Sequence, residues 1–445
     1  MSRFGNVFTA VDKYRDLILK AERYIWQNPE IAFREWKTSS YLEERFQDLG
    51  YRLVKAGNIP GFYTDYDTGR PGPKILVFGE LDSVVCYEHP ESDPETGAVH
   101  ACGHNAQCAA LLGIAAALKE NSVTNDLCGS VRLCAVPAEE GIDIEYREGL
   151  LSSGIIRYYS GKAEYLYRGY FDNVDMAFMV HTATRGKGFS IYDGAIGNIK
   201  KRVTFKGVAS HAASSPHKGV NALYAANVGL CAINALRETF KDEEHIRVHP
   251  IITNGGASVN AIPSEVVLET YVRGISIDAI YAANTKINRA LAGAAASMGA
   301  GVVISDRVGS SPLVNNKALI KAAKIAMAET VGAKNIEVHK KTMTASTDMG
   351  HISSVMPAIH PYITGAEGTS HGKDYYITNP EQACVNSAKA QLCMISLLLS
   401  NNAQRAKEIA AKGNYPSIPA YFKKIDRLNK NIDAVKYLKN GKVIL

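Results

Sequence analysis

Apolar positions recur at helical spacing through VDKYRDLILKAERYIW and again through SSYLEERFQDL. The pattern predicts one or two amphipathic helices within residues 8–50, stopped at Gly50. KILVFGELDSV is different, a short β-branched run between PGP and polar residues, and reads as a buried strand. AALLGIAAALKE reads as a helix rich in small residues, suited to close packing on a sheet. SVRLCAVPAEEG is a second strand ending at Pro137, and VDMAFMVH contains a third. Strand and helix alternating in this way predict a layered α/β domain.

After Gly197 the pattern changes. KRVTFKG, IRVHPIITNGG, EVVLETYVRG and GVVISDRVG read as strands, NALYAANVGLCAINALRETF and SIDAIYAANTKINRALAGAAASMG as helices. Their order, β-α-β-β-α-β, is the split ferredoxin-like unit. It occupies 197–311 as an inserted α+β domain. From about 315 the first pattern resumes with a helix in NKALIKAAKIAMAETVG and a strand-like SVMPAIHPYI. The expected architecture is therefore one α/β domain, residues 1–196 and 312–445, interrupted by 197–311. The tail, 402–445, reads as a lysine-rich helical appendage.

Composition changes this picture little. A chain of 445 residues is long enough for two or three domains. Its net charge of +6 is small for that length, and no basic run or stacking-aromatic pattern predicts a nucleic-acid surface. No window approaches the roughly 20 apolar residues of a membrane span. MSRFGNVFTAVDKY lacks the apolar core of a secretory signal, so the expected address is cytoplasmic, with no membrane partner. The eight cysteines form no CxxC pair, as suits a reducing compartment. Cys86, Cys128, Cys134, Cys231, Cys384 and Cys393 are read as structural; Cys102 stands apart because of its neighbours.

Those neighbours are His100-Ala-Cys-Gly-His104-Asn105, between an acidic loop and the Ala/Leu-rich helix. A thiolate and an imidazole two residues apart at the mouth of a helix can face one ion of the kind that favours N/S ligands. A buried thiol with a capping imidazole would look the same. Glu139 and Glu140 follow a strand, where adjacent carboxylates are costly to bury unless something positive is present. Because neighbouring side chains diverge, one can bind a cation while the other approaches a substrate, unless the pair is simply a solvated acidic turn. His181 ends an apolar strand and His371 sits in the glycine-rich GAEGTSHGKDYY. Five candidate ligands, each at the end of a predicted core element, are poorly explained by coincidence.

In order and spacing, HACGHN, PAEEG, MVH and GTSH resemble the dinuclear-metal peptidase and aminoacylase family. The branch most like it is that of aminobenzoyl-glutamate hydrolase and the plant auxin-conjugate hydrolases. NPEIAFREWKTS, SHAASSPHKGVNAL, NAIPSE and ASTDMGHISSVMPAIHP extend the resemblance over nearly the whole chain. It implies Cys102, His104, Glu140, His181 and His371 as ligands of two divalent ions, zinc or manganese, and Glu139 as general base. It implies that His211 of the inserted domain reaches a partner's active site in a homodimer, the inserted domain serving as lid and dimerisation element. Asn260 and Arg273 fall where family members contact the substrate's terminal carboxylate, and Asp82 matches a supporting acidic residue. The chain departs from the auxin-conjugate branch at Asn105, where that branch has Asp, and carries Gln107 where histidine is common.

The implied activity is hydrolysis of an N-acyl or aminobenzoyl amino acid by metal-activated water. Within enzymes the alternative is a dipeptidase of the β-alanyl-lysine type. From other classes the alternatives are a non-catalytic ligand-binding homologue and a thiol enzyme using Cys102 as nucleophile. Tyr158, Tyr159 and Arg168, in the loop region 142–173, are read as surface side chains.

Overall fold

The structure, a computed structural model, describes residues 4–437 and 443–444. The chain divides into two compact units. The first comprises Met1–Gly194, Leu313–Lys341 and Asp348–Ile418; the second comprises Ala195–Pro312, Thr342–Thr347 and Pro419–Leu445.

The first unit is a layered α/β structure. Its central sheet has six strands, in the order Val54–Lys55, Phe62–Asp67, Ser130–Val136, Lys74–Glu80, Met176–Phe178 and Ala358–Ile359. Lys74–Glu80 is parallel to both neighbours, and Ala358–Ile359 is parallel to Met176–Phe178. The chain therefore leaves four strands at the same edge, the place where α/β sheets collect functional groups. Helix His104–Ala117 is buried along its whole length. It packs against Lys74–Glu80 on one side and against helices Arg15–Trp26 and Ser387–Leu399 on others. Small residues on both elements make this possible: a side chain at Gly113 of the helix would run into Ile18, and one at Gly79 of the strand would press on the Cys108 backbone. A smaller sheet joins Leu313–Val314, Phe189–Ala195, Tyr362–Thr364 and His181–Ala183, with Ile336–Met343 against Phe189–Ala195.

The second unit is an antiparallel sheet with two helices. The strand Gly197–Lys206 lies between Glu265–Gly274 and Gly301–Ser310, and Ile251–Asn254 pairs with Glu265–Gly274. Helices Ala222–Leu236 and Ile277–Ser297 pack on each other and on the sheet. A buried polar knot ties helix to sheet. Lys201 pairs with Asp306, whose other oxygen accepts from Asn284 at 2.7 Å and Asn288 at 3.0 Å.

The tail differs from expectation. Helices Gln404–Ala411 and Ile418–Ile425 are present, but Lys430–Tyr437 is a strand antiparallel to Gly301–Ser310, with Ile304 opposite Ile432. The described residues from 419 onward thus group with the second unit, not with the α/β unit. The segment KNIDAVKY places Val435, 1% exposed, on the covered face. The reading of Tyr158 and Tyr159 as surface side chains also fails: both are 3% exposed or less. Arg168 is half-buried, bound to Glu164 at 2.7 Å and to the carbonyl of Ala56 at 2.9 Å. Of the six cysteines read as structural, Cys231 is exposed and Cys128 partly so; the others are buried.

A chain ended after Ser417 would leave Gly301–Ser310 as an open strand edge. The expected result is concentration-dependent growth in particle mass by light scattering, absent from the full chain. A truncated protein that stays at its original mass up to high concentration contradicts the role given to the tail strand.

Candidate metal centre

The HACGHN segment is shaped by its glycine. Gly103 takes a left-handed φ of +81° immediately before the buried helix, and a Cβ there would collide with Thr182 and Tyr375. Thr182 Oγ1 donates to the Cys102 carbonyl at 3.2 Å and lies 2.8 Å from the Tyr375 hydroxyl. The turn thereby presents both Cys102 and His104 to one cavity. Cys102 Sγ is 3.4 Å from His181 Nε2, whose Nδ1 is held by the Thr182 carbonyl at 2.8 Å. His104 Nδ1 meets the Asp82 carbonyl at 2.8 Å, which turns Nε2 toward Glu80 Oε2 at 3.1 Å. Holding one imidazole nitrogen fixes the direction of the other.

The carboxylates arrive from the next strand. Ala138 has φ +57° and donates its N–H to Glu35 at 3.0 Å; Glu35 also accepts from Phe33, itself left-handed. The NPEIAFREWKTS segment thus serves as a mould for the PAEEG turn. Arg147, fully buried, adds donors to the carbonyls of Glu140 and Ile142. Glu140 N–H donates to Asp82 at 2.8 Å, and Glu140 Oε1 lies 3.2 Å from His371 Nε2. His371 has φ +63° and is anchored through its N–H to the Ala101 carbonyl at 2.8 Å.

Three sets of donor atoms each lie within 4.8 Å of one another: Cys102, His104 and His181; Cys102, Glu140 and His371; His104, Glu139 and Glu140. The sets share members, so one pocket holds all five predicted ligands and Glu139. Buried Glu80 Oε2 and His104 Nε2 face each other, and Asp82 Oδ1 lies 3.2 Å from His104 Nδ1, but none of the three makes a hydrogen bond. Buried polar atoms without partners are costly, and thiolate, imidazole and carboxylate together make a donor set for divalent cations of intermediate softness. The residues present fit a metal centre.

Comparison with known proteins decides the class. The model of "Peptidase family M20/M25/M40" matches residues 76–396. The human Xaa-Arg dipeptidase is 30% identical over 389 residues, covering 82% of this chain and 80% of that protein. One p-aminobenzoyl-glutamate hydrolase chain of Escherichia coli is 32% identical over 252 residues, 54% of this chain and 47% of that one. The fold is shared with a dinuclear metal binding M20 peptidase of Bacillus subtilis, with TM-score 0.65, 18% identity, and coverage of 87% and 99% of the two chains. The chain belongs to peptidase family M20/M25/M40. It is a metal-dependent amide hydrolase.

In this M20 chain the electrostatics separate neighbouring groups. Burial and Glu140 oppose ionisation of Cys102, yet His104 and His181 bring its thiol down to about 6. Burial also opposes ionisation of Glu140, but the His371 hydrogen bond and charge take it down to about 2. Glu139 moves the other way. Burial, then Glu80, Glu140 and Asp348, hold it well above the ordinary carboxylate range, against the pull of His104.

The second unit holds the other predicted residues. His211 is exposed and bridges to Ala261, while Ala212 N–H donates to the Asn260 carbonyl at 2.9 Å, so His211 and Asn260 are neighbours. Arg273 stands apart on its strand, bound to Ser346 at 2.9 Å. The sequence reading missed Glu80, Lys162 and Asp348, three buried charges beside Glu139. The signal for Glu80 was a carboxylate closing an otherwise apolar strand. Asp348 lay inside a quoted motif without a role, and Lys162 gave no signal at all.

Asn105 now has a physical explanation. Its amide donates to Glu22 at 2.8 Å, where an Asp would set one carboxylate against another. Gln107 is buried, and its amide makes no hydrogen bond among the described residues. Burial raises the Glu22 carboxyl to about 7, against Arg23 and the Asn105 hydrogen bond. A raised folded-state pKa withholds stability as pH climbs from the unfolded value, about 4.5, through 7. The full penalty above that window is roughly 3 kcal/mol. Glu22→Gln keeps the acceptor for Asn105 and is expected to stabilise the protein at pH 8 but hardly at pH 4.5. Denaturant melts at both values check this; equal effects at the two would count against it.

Proposed function

We propose that this M20 hydrolase cleaves the amide bond of N-acyl or aminobenzoyl amino acids, with Glu139 as general base. The observation that carries the reading is geometric: donor atoms of Cys102, His104, Glu140, His181 and His371 gather in overlapping sets at one pocket, with a Glu139 oxygen beside those of His104 and Glu140. Cys102, His104, Glu140, His181 and His371 are assigned as ligands of two divalent ions, zinc or manganese. When bound, such ions supply Lewis-acid polarisation of the scissile carbonyl and acidify the attacking water.

The chain's own residues do the rest. Glu139, only partly buried, is close enough to His104 and Glu140 to meet a water in the pocket. It takes the water's proton as attack begins and returns it to the departing amine. His104 and His181 each have one ring nitrogen held by a backbone carbonyl, so neither has to reorient during the cycle.

His211, Asn260 and Arg273 are assigned to the substrate, His211 acting on a partner's centre within a homodimer. Support comes from the second unit's surface. Ile251–Asn254 is an edge strand exposed along its length, and Val208, Tyr224 and Val259 are exposed large apolar side chains of the same unit. Exposed apolar groups on a unit that also carries an open strand edge suit association with a second copy. A dipeptide substrate is the second reading, favoured by the Xaa-Arg dipeptidase similarity. A panel of dipeptides against acyl and benzoyl amino acids separates the two. No helix among the described residues is by itself long and apolar enough to cross a membrane, and a cytoplasmic setting is proposed.

Glu139→Gln is expected to retain two metal ions per chain by elemental analysis while losing three or more orders of magnitude in kcat, as loss of a general acid/base can cost. Turnover near the wild-type rate would remove Glu139 from the mechanism. For the shared site, mixing inactive Glu139→Gln with inactive His211→Ala protomers should restore part of the activity. No recovery, once exchange of protomers has been demonstrated by mass spectrometry, would show that each chain works alone.

A further inference from the structure

Glu80, Glu139 and Asp348 bring carboxylate oxygens within 4.8 Å of one another, an arrangement that would ordinarily call for a cation. The chain supplies one. Lys162, fully buried, sends its ammonium group to Glu80 Oε1 and to Asp348 Oδ1, the latter at 2.5 Å. The other Asp348 oxygen accepts from Ser160 Oγ at 2.8 Å and from Lys162 N–H at 3.1 Å. Asp348 in turn aims its own backbone N–H at Glu139 Oε1, 3.3 Å away. The short helix Gly161–Tyr167 that carries Lys162 is seated on the PAEEG turn. Gly161 N–H donates to the Ala138 carbonyl at 3.3 Å, and a side chain at Gly161 would collide with the Pro137 carbonyl.

We propose that Lys162 is a positioning residue of the hydrolytic centre, an internal cation that fixes Glu80 and Asp348 and through Asp348 sets the carboxylate of Glu139. This rests on Glu139 being the base. An arrangement of this kind is hard to justify by stability alone, because a buried ion pair is often no better than the apolar side chains that could replace it. Its members surround one group. The Asp348 N–H is the backbone donor that reaches Glu139, and it keeps its direction only while both Asp348 oxygens are held. Lysine suits the place: a compact charge with three donors fits where a planar guanidinium would need more room.

The test uses the metal-loaded full chain and the N-acyl amino acid that the wild type cleaves fastest. Lys162→Met should lower kcat at least thirtyfold, leave KM within threefold, and keep two metal ions per chain by elemental analysis. In its crystal structure the contact between Asp348 N and Glu139 Oε1 should be broken. In Lys162→Ala, methylammonium or ethylammonium should restore part of kcat, which a loss of general stability would not allow. A folded, loaded Lys162→Met with kcat within threefold of wild type, or with the Glu139 carboxylate undisplaced, overturns the inference. If neither lysine variant folds, Asp348→Asn carries the test, with a tenfold or greater fall in kcat expected and an unchanged kcat overturning it. Glu139→Gln run alongside separates the two ideas. An active Glu139→Gln removes the base assignment itself, whereas an inactive one beside a normal Lys162→Met or Asp348→Asn removes only the positioning role.

Discussion

The catalytic unit is organised around the crowding of negative charge at one sheet edge. Glu80 and Asp82 leave one parallel strand, and Glu139 and Glu140 follow its neighbour, while Glu35 and Asp348 come in from elsewhere in the sequence. Of the six, all but Glu139 are buried outright. Such a group cannot be kept in a protein interior without compensation. Each surrounding feature answers some part of it: the imidazoles of His104 and His371, the Lys162 ammonium, the Arg147 guanidinium on the turn carbonyls, and backbone donors from Ala138, Glu140 and Asp348. The donor groups that face the remaining room are of the kind that hold a metal ion.

Much of this was legible in the sequence because it lies where hydrophobic pattern changes to polar residue. HACGHN at the mouth of a small-residue helix, and PAEEG after a strand, mark element ends by local rules, and those ends coincide because the strands are parallel. What was not legible depends on long-range placement. Lys162 reaches Glu80 and Asp348 across 82 and 186 residues, and nothing in SGKAEYLY distinguishes it from a lysine on a solvated face. Tyr158 and Tyr159 were misread for the same reason. A polar, irregular stretch looks exposed until the turn it packs beneath is known.

The tail shows the complementary failure. Its lysines and short apolar runs favour helix by propensity, and two helices do form there. Lys430–Tyr437 is a strand only because Gly301–Ser310 offers it an unpaired edge. Strand formation is decided by the neighbour more than by the residues themselves. Among the described residues Ile251–Asn254 is exposed along its length, and Val259 and Asn260 lie near this strand in sequence.

Adjacent in sequence, Glu139 and Glu140 meet opposite surroundings because the turn that carries them is held on both sides. Glu140 is pinned by its N–H to Asp82 and faces an imidazole; Glu139 faces Glu80 and Asp348. If the backbone were free to turn by one residue, the two environments would be exchanged or averaged, and the difference between them would vanish. The left-handed Ala138, fixed by Glu35, and the carbonyls gripped by Arg147 prevent this. Rigid support of a turn thus becomes a difference in proton affinity between two chemically identical side chains. Held in this way, Glu140 keeps its imidazole partner and Glu139 its two carboxylate neighbours, and the turn cannot exchange them.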